Sequence, residues 1–123
     1  MKFMLISYDD EKAWERAGQD AWKAAIQEAV ELTHRLDAKG QYIAAAPLHA
    51  SSTGACVRVR NGQPSVTDGP YTESHEVIGG FYLIDVADQA EAIRIAQQHP
   101  GARLGTVEVR EVMELEGLPK SRL

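Results

Sequence analysis

Gly79-Gly80-Phe81-Tyr82-Leu83-Ile84-Asp85-Val86 is the stretch on which the fold turns. Polar Ser74-His75-Glu76 precedes it and Ala87-Asp88-Gln89 follows. Successive side chains of an extended chain point to opposite faces, so Phe81 and Leu83 compete with Tyr82 and Ile84 for the core. A strand apolar at both parities is buried on both faces. Residues 2–8 repeat the pattern, with Phe3 and Leu5 alternating with Met4 and Ile6.

Working outward, Asp88 starts a helix and Glu91 completes a capping-box-like pair. Ala92, Ile93 and Ala96 form its apolar stripe, and Pro100-Gly101 ends it. Residues 105–112 alternate Val107 and Val109 against Glu108 and Arg110, which predicts the last strand. Upstream, residues 9–19 read as polar and irregular. From Asp20 to about Lys39 the period is helical, with Trp22, Ile26, Ala29, Val30, Thr33 and Leu36 on one stripe and Gly40 as the stop. Residues 41–48 predict a second strand, ended by Pro47 and the Ser51-Ser52-Thr53-Gly54 loop. Residues 55–60 and 63–67 predict a hairpin around Asn61-Gly62, the strongest short turn signal of its kind. Gly79-Gly80 predicts a bulge or a close backbone approach.

The order is strand, helix, strand, hairpin pair, helix, strand. This is an α+β, ferredoxin-like βαβ-β-βαβ arrangement with an added hairpin. The domain spans residues 1–113, and residues 114–123 form a polar tail. Two helices cover only one face of an antiparallel sheet. The doubly apolar strands therefore require something on the other face, and a second copy of the chain is the simplest cover.

The 123 residues make one domain with a single core, and 44% hydrophobic against 25% charged residues is the balance of a globular protein. A net charge of -5 argues against nucleic acid and anionic membranes, which bind basic surfaces. No apolar run approaches the roughly 18 residues of a membrane span, and the first ten residues lack the pattern of a signal peptide. The expected location is the cytoplasm. Cys56 is the single cysteine, so neither an internal disulfide nor a cysteine metal cluster is possible. Scattered histidines without ligand spacing predict no metal, and the absence of a glycine-rich loop leading into a helix predicts no nucleotide cofactor.

The chemically loaded segment is Val66-Thr67-Asp68-Gly69-Pro70-Tyr71-Thr72-Glu73-Ser74-His75-Glu76-Val77-Ile78. It is longer and richer in ionisable groups than an ordinary hairpin loop, and such loops carry function. Asp68 is the candidate carboxylate; its bland alternative is an Asx-turn ahead of Gly69-Pro70. His49 and His75 are the candidate proton carriers, against the alternative of loop histidines facing solvent. The hairpin brings the loop bearing His49 close to the loop bearing Asp68 and His75. Tyr8 and Tyr71 are candidate pocket aromatics and Glu73 a candidate substrate contact. His34 reads as a surface residue and His99 as a helix-end residue. Cys56 shares strand parity with Arg58 and Arg60 and reads as a quiet thiol.

Several stretches together resemble the YCII-related family, in its DGPF-domain branch. They are Met1-Lys2-Phe3-Met4-Leu5, Val57-Arg58-Val59-Arg60-Asn61-Gly62, Thr67-Asp68-Gly69-Pro70-Tyr71-Thr72-Glu73, Gly79-Gly80-Phe81-Tyr82-Leu83-Ile84 and Gly105-Thr106-Val107-Glu108-Val109-Arg110. The resemblance runs from Met1 to about Val112. It implies a dimeric α+β barrel and no settled activity. Some similar proteins are regarded as enzymes using a His–Asp pair, and one is a dehydrochlorinase. Two residues depart from the pattern. Tyr71 stands where the motif has Phe, and His75 stands where the family usually has Lys, so a permanent cation is replaced by a titrating one.

The leading expectation is a small-molecule enzyme or binding protein with a cofactor-free acid–base site. A histidine, His49 or His75, exchanges a proton and Asp68 orients it, in an elimination, isomerisation or hydrolysis of a small compound. The rival is a non-catalytic ligand-binding or regulatory dimer linked to transcriptional stress responses. Either way the chain is expected to be a homodimer, with an interface above about 2,000 Å². Sedimentation at micromolar concentration should give a dimer; a compact monomer would remove that expectation.

Overall fold

The two doubly apolar runs lie side by side and form the centre of the sheet. In the computed structural model, which describes residues 1–71 and 74–122, the chain runs β1 (Lys2–Asp9), α1 (Glu11–Ala17), α2 (Gln19–Ala38), β2 (Tyr42–Pro47), a 3-10 turn (Ser51–Thr53), β3 (Ala55–Arg60), β4 (Gln63–Asp68), β5 (Val77–Asp85), α3 (Gln89–Ala96), α4 (Gly101–Leu104) and β6 (Thr106–Glu111). The main sheet has the order β2-β5-β1-β6, and every pairing in it is antiparallel. This is the ferredoxin-like order expected from the element sequence. The added hairpin β3–β4 forms a separate two-stranded sheet.

One face of the sheet carries the core. Phe3 and Leu5 of β1 lie opposite Ile84 and Tyr82 of β5, and all four are buried against Leu32 and Leu36 of α2 and Ala92, Ile95 and Ala96 of α3. Each such large apolar side chain contributes about 1.5–3 kcal/mol when removed from water. The other face is built from the alternate residues. Met4 lies across from Leu83 and Ile6 across from Phe81, and these four stay partly exposed within the chain.

Several local signals act as read. Asp88 caps α3, its carboxylate accepting from the Glu91 N–H at 2.9 Å. Asn61 and Gly62 turn the hairpin with φ of 51° and 73°. The hairpin leaves Val57, Val59 and Val66 exposed on one face, at 68%, 59% and 64%.

Two readings are corrected. Residues 9–19 are not irregular: Glu11–Ala17 is a helix. The Asp10 carboxylate accepts from the Ala13 N–H at 2.9 Å, Glu11 occupies the positive first turn and Arg16 the last. A cap, good helix formers and the packing of Trp14 on Trp22 hold this short helix where an apolar stripe is missing. Gly18, at φ 95°, then breaks the chain before α2. The second correction concerns the α2 stripe. Ala25, Leu32 and Leu36 are buried. Trp22, Ile26 and Val30 remain 41%, 38% and 49% exposed, because they line a cavity instead of filling the core.

The Gly79-Gly80 pair does produce a bulge. Ser7 pairs with Gly80 and Tyr8 with Ile78, so Gly79 is the extra residue on β5. A Cβ on Gly79 would sit 1.7 Å from the Asp9 Oδ2, and one on Gly80 would sit 2.7 Å from the Ala46 carbonyl oxygen. The first obstacle is a side-chain tip that can swing away; the second is backbone. Gly80→Ala should therefore lower stability by about 1–3 kcal/mol in urea unfolding, the usual cost of overpacking. Gly79→Ala should cost less, because it displaces only the Asp9 carboxylate. Equal losses would show that the two close approaches are not of these different kinds.

Candidate functional site

Ser7 and Asp9 are two residues apart on β1 and so share the face turned to the helices. Ser7 is buried, and its Oγ–H donates to Asp9 Oδ1 at 3.0 Å. The other carboxylate oxygen, Oδ2, rests over the bare Cα of Gly79. A third polar group comes from the corner between α3 and α4. There the Gly101 N–H donates to His99 Nδ1 at 3.0 Å, which places the proton of the neutral imidazole on Nε2. Ser7 Oγ and the His99 ring are neighbours, since a Cβ on Gly101 would lie 2.7 Å from one and 2.9 Å from Nδ1 of the other. The Tyr82 ring meets His99 edge-on, with centroids 5.1 Å apart. The row Asp9–Ser7–His99 thus runs along the end of the helix-facing side of the sheet.

A cavity of about 290 Å³ lies over this row, between the sheet and α2. Its walls are mainly apolar, with Trp22, Ile26, Val30 and Tyr42 among them. Past Asp9, Trp14, Trp22 and Gly79 it continues into an outer cleft of about 410 Å³. Glu11, Glu15 and His49 stand in the lining of that outer cleft. Trp14 and Trp22 pack edge to face between the chambers, with centroids 5.5 Å apart and planes at 73°. The Trp14 Nε1–H is buried with no partner among the described residues. Glu11 ties the outer loop to α1 by accepting from the Ser51 N–H at 2.9 Å and from the Ser51 hydroxyl.

The electrostatics disfavour charge on both titrating members of the row. Burial raises the Asp9 pKa above its ordinary value; the Ser7 hydrogen bond works against this, and the neighbouring charges of Glu11 and Glu76 work with it. Burial lowers the His99 pKa, opposed by Glu28 and assisted by Arg103. Burial also pushes the Tyr82 phenol to about 12, so it stays protonated and donates to the Ala29 carbonyl oxygen. The acid is pushed up, the base is pushed down, and both line the same cavity.

The residues singled out in the sequence are placed as follows. Asp68 is exposed at the end of β4, opposite Ala55. Among the described residues no hydrogen bond or ion pair joins it to His49 or His75. His49 lines the outer cleft, within the same chamber as Asp9, while His75 is exposed outside both chambers. Tyr71 is 70% exposed, with the Arg58 guanidinium 5.0 Å from its ring centroid. The Tyr8 hydroxyl donates to Glu108 Oε1 at 2.9 Å, on the sheet face away from the cavity. The hydrogen bond to Glu108 is the first cause that raises the Tyr8 pKa. Glu73 and Thr72 lie outside the described residues. Cys56 is half-buried, with its Sγ 3.5 Å from the Gly69 carbonyl oxygen at the base of the hairpin.

Sequence reasoning missed Ser7, Asp9, Trp14 and His99. One signal was present: Ser7-x-Asp9 puts two polar side chains on the core face of an otherwise apolar strand, across from Gly79-Gly80. His99 carried none, because its neighbours come from β1 and not from its own helix. Among the described residues no three His, Cys, Asp or Glu side chains cluster as metal ligands do, and no helix is long and apolar enough to cross a membrane.

Compared with known proteins, the chain matches the family described as YCII-related domain over residues 1–116. It is also 28% identical over 112 residues to an uncharacterized protein of Rhizobium meliloti (strain 1021), an alignment that covers 89% of this chain and 90% of that one. The family match spans β1, the Gly79-Gly80 pair and the α3–α4 corner.

His99 gives stability a definite pH dependence. Its folded pKa lies below the unfolded value of 6.5, so between the two the unfolded chain binds more protons. Stability is fully present above 6.5 and is lost as pH falls through the folded value. The urea midpoint of the wild type should thus fall between about pH 7 and about pH 5, and His99→Gln should flatten that part of the curve. An unchanged slope in His99→Gln would show that His99 is not held neutral by burial.

Proposed function

The chain belongs to the YCII-related family, and on that premise we propose that it is a small-molecule acid–base protein whose working centre is the Asp9–Ser7–His99 row. The observation that carries this reading is Asp9, a desolvated carboxylate at the junction of two chambers, kept against Gly79 by the close approach described above. Desolvation makes its ionised form a stronger base than an exposed aspartate. The Ser7 hydroxyl occupies Oδ1 and leaves Oδ2 as the basic atom. His99 Nε2–H serves as the neutral donor on the inner side. His49, in the outer cleft, passes the proton between the site and solvent. No cofactor is needed for an elimination, an isomerisation or a hydrolysis that runs on such transfers.

In this reading Asp68, Tyr71 and His75 belong to the end of the hairpin and the segment that follows it, and not to the reacting centre. The Asp68-Gly69-Pro70-Tyr71 turn supports a place in the DGPF branch. The homodimer is supported by two apolar surfaces that the chain does not cover for itself: Met4, Ile6, Phe81 and Leu83 on the sheet, and Val57, Val59 and Val66 on the hairpin. The Tyr8–Glu108–Arg110 row borders the first of them, with Arg110 NH2 2.6 Å from Glu108 Oε2. A charge-neutral polar row beside an apolar patch is what a partner's sheet can cover. A cytoplasmic location remains part of the proposal.

A second reading keeps the cleft as a ligand-binding site without turnover. The Trp14 Nε1–H favours it, because an acceptor on a ligand can satisfy a buried donor that has no partner among the described residues.

The test is proton exchange in D2O, followed by proton NMR over a panel of small enolisable ketones and lactones. The wild type should exchange or open at least one of them, and Asp9→Asn should lose about 10²-fold or more of that rate. The same variant should be more stable than the wild type near neutral pH, because a desolvated charge is gone. Asp68→Asn should keep the rate. Loss in Asp68→Asn with retention in Asp9→Asn would return the site to the hairpin loop. Binding in the cleft without exchange would establish the second reading.

A further inference from the structure

The hydroxyls that line the inner chamber are largely spent as donors. Ser7 donates to Asp9, Thr33 to the Val30 carbonyl oxygen and Tyr82 to the Ala29 carbonyl oxygen. The buried side-chain donor left without a partner among the described residues is Trp14 Nε1–H, and Trp14 lines both chambers. A buried N–H without an acceptor is costly, and folded proteins keep few of them. A ligand oxygen seated where the chambers join supplies the missing acceptor. A ligand that brings only donors, as an ammonium group does, leaves the indole unsatisfied.

The charges around that junction oppose one another. Asp9, Glu11 and Glu15 line the outer cleft. His49 and Gly18-Gln19 line it too, and there the 20-residue α2 starts without a side-chain cap and carries the positive end of its dipole. An anion would be drawn by the helix start and repelled by the carboxylates, and a cation would meet the reverse. Opposed signs in one cleft suit a group with a dipole and no net charge. Ile26, Val30 and Ala45 wall the inner chamber, which suits an apolar body. Among neutral oxygen groups a carbonyl matches the chemistry at Asp9. A base that takes a proton from carbon needs an adjacent carbonyl to receive the electron pair, and an N–H donor at that oxygen stabilises the developing charge.

We propose that the cleft binds a neutral carbonyl compound, with its oxygen accepting from Trp14 Nε1–H and its apolar body in the inner chamber. The assignment rests on the cleft being the ligand site, and it adds the ligand's charge and the residue that holds its oxygen. A body the size of one substituted aromatic ring fits a chamber of about 290 Å³.

The test uses four probes of similar size: acetophenone, ethylbenzene, benzoate and 1-phenylethylammonium. Each is titrated into the full chain near neutral pH while the two indole N–H signals, those of Trp14 and Trp22, are followed by NMR. Acetophenone should move the Trp14 signal downfield saturably, as a new hydrogen bond does, and ethylbenzene should not. Benzoate and 1-phenylethylammonium should bind at least about tenfold more weakly than acetophenone. Trp14→Phe removes the N–H and keeps an aromatic ring. It should weaken acetophenone about fivefold more than it weakens ethylbenzene, the worth of one neutral hydrogen bond. If acetophenone binds without the downfield shift, or if Trp14→Phe weakens both probes alike, the cleft remains the ligand site and Trp14 is not its donor. If benzoate or 1-phenylethylammonium binds as tightly as acetophenone, the neutral assignment is overturned. If none of the four moves either indole, the cleft reading falls and this assignment falls with it.

Discussion

The approach of the Asp9 carboxylate to the backbone of Gly79 is the constraint on which the rest depends. A side chain on Gly79 and the carboxylate in its present place exclude one another. Gly79 is also the residue that the pairing of β1 with β5 skips, so the bulge and the carboxylate's position are one feature. With the bulge there, β5 bends at its start, and Gly80 runs against the Ala46–Pro47 backbone of β2 closely enough to exclude a Cβ. The edge strand, the bulge and the acid thus meet at two adjacent glycines.

The fold separates core from cavity along α2. Its Leu32 and Leu36 close the core with Phe3 and Ile84, while Trp22, Ile26 and Val30 look into the cavity. Filling that space would bury more apolar area, and leaving it open costs stability of the same order as a few core methylenes. Desolvating Asp9 and His99 adds to that cost, because each is pushed toward its neutral form. Proteins retain destabilising groups of this kind where function uses them. The opposite sheet face is a different matter, since Met4, Ile6, Phe81 and Leu83 carry no titrating chemistry and need only a cover.

Most of the architecture was legible because it rests on local signals. The alternation at β3 and β6, the Asn61-Gly62 turn, the Asp88 cap and the Gly40 stop each act over a few residues, and each element they mark is present. The helix at Glu11–Ala17 was not legible from periodicity, because it is too short for a stripe and is held by a cap and by the packing of Trp14 on Trp22. The candidate site was legible only in fragments. The glycine pair announced a close approach without naming what approached. His49 shares the lining of the outer cleft with Asp9, and Asp68 is not part of that lining. His99 read as a helix end, and it is one; its neighbours Ser7 and Tyr82 come from far away in the chain. Chemistry assembled by long-range packing leaves no spacing in the sequence to count.

The central claim is that Asp9 is held desolvated at the mouth of the cavity. The most direct measurement is the titration of its side-chain carboxyl carbon by NMR in the intact protein. The account predicts a midpoint above the ordinary 3.8 of an aspartate, since burial outweighs the Ser7 hydrogen bond. A midpoint at or below 3.8 would mean a solvated carboxylate stabilised by its hydrogen bond, and would contradict the account of the site.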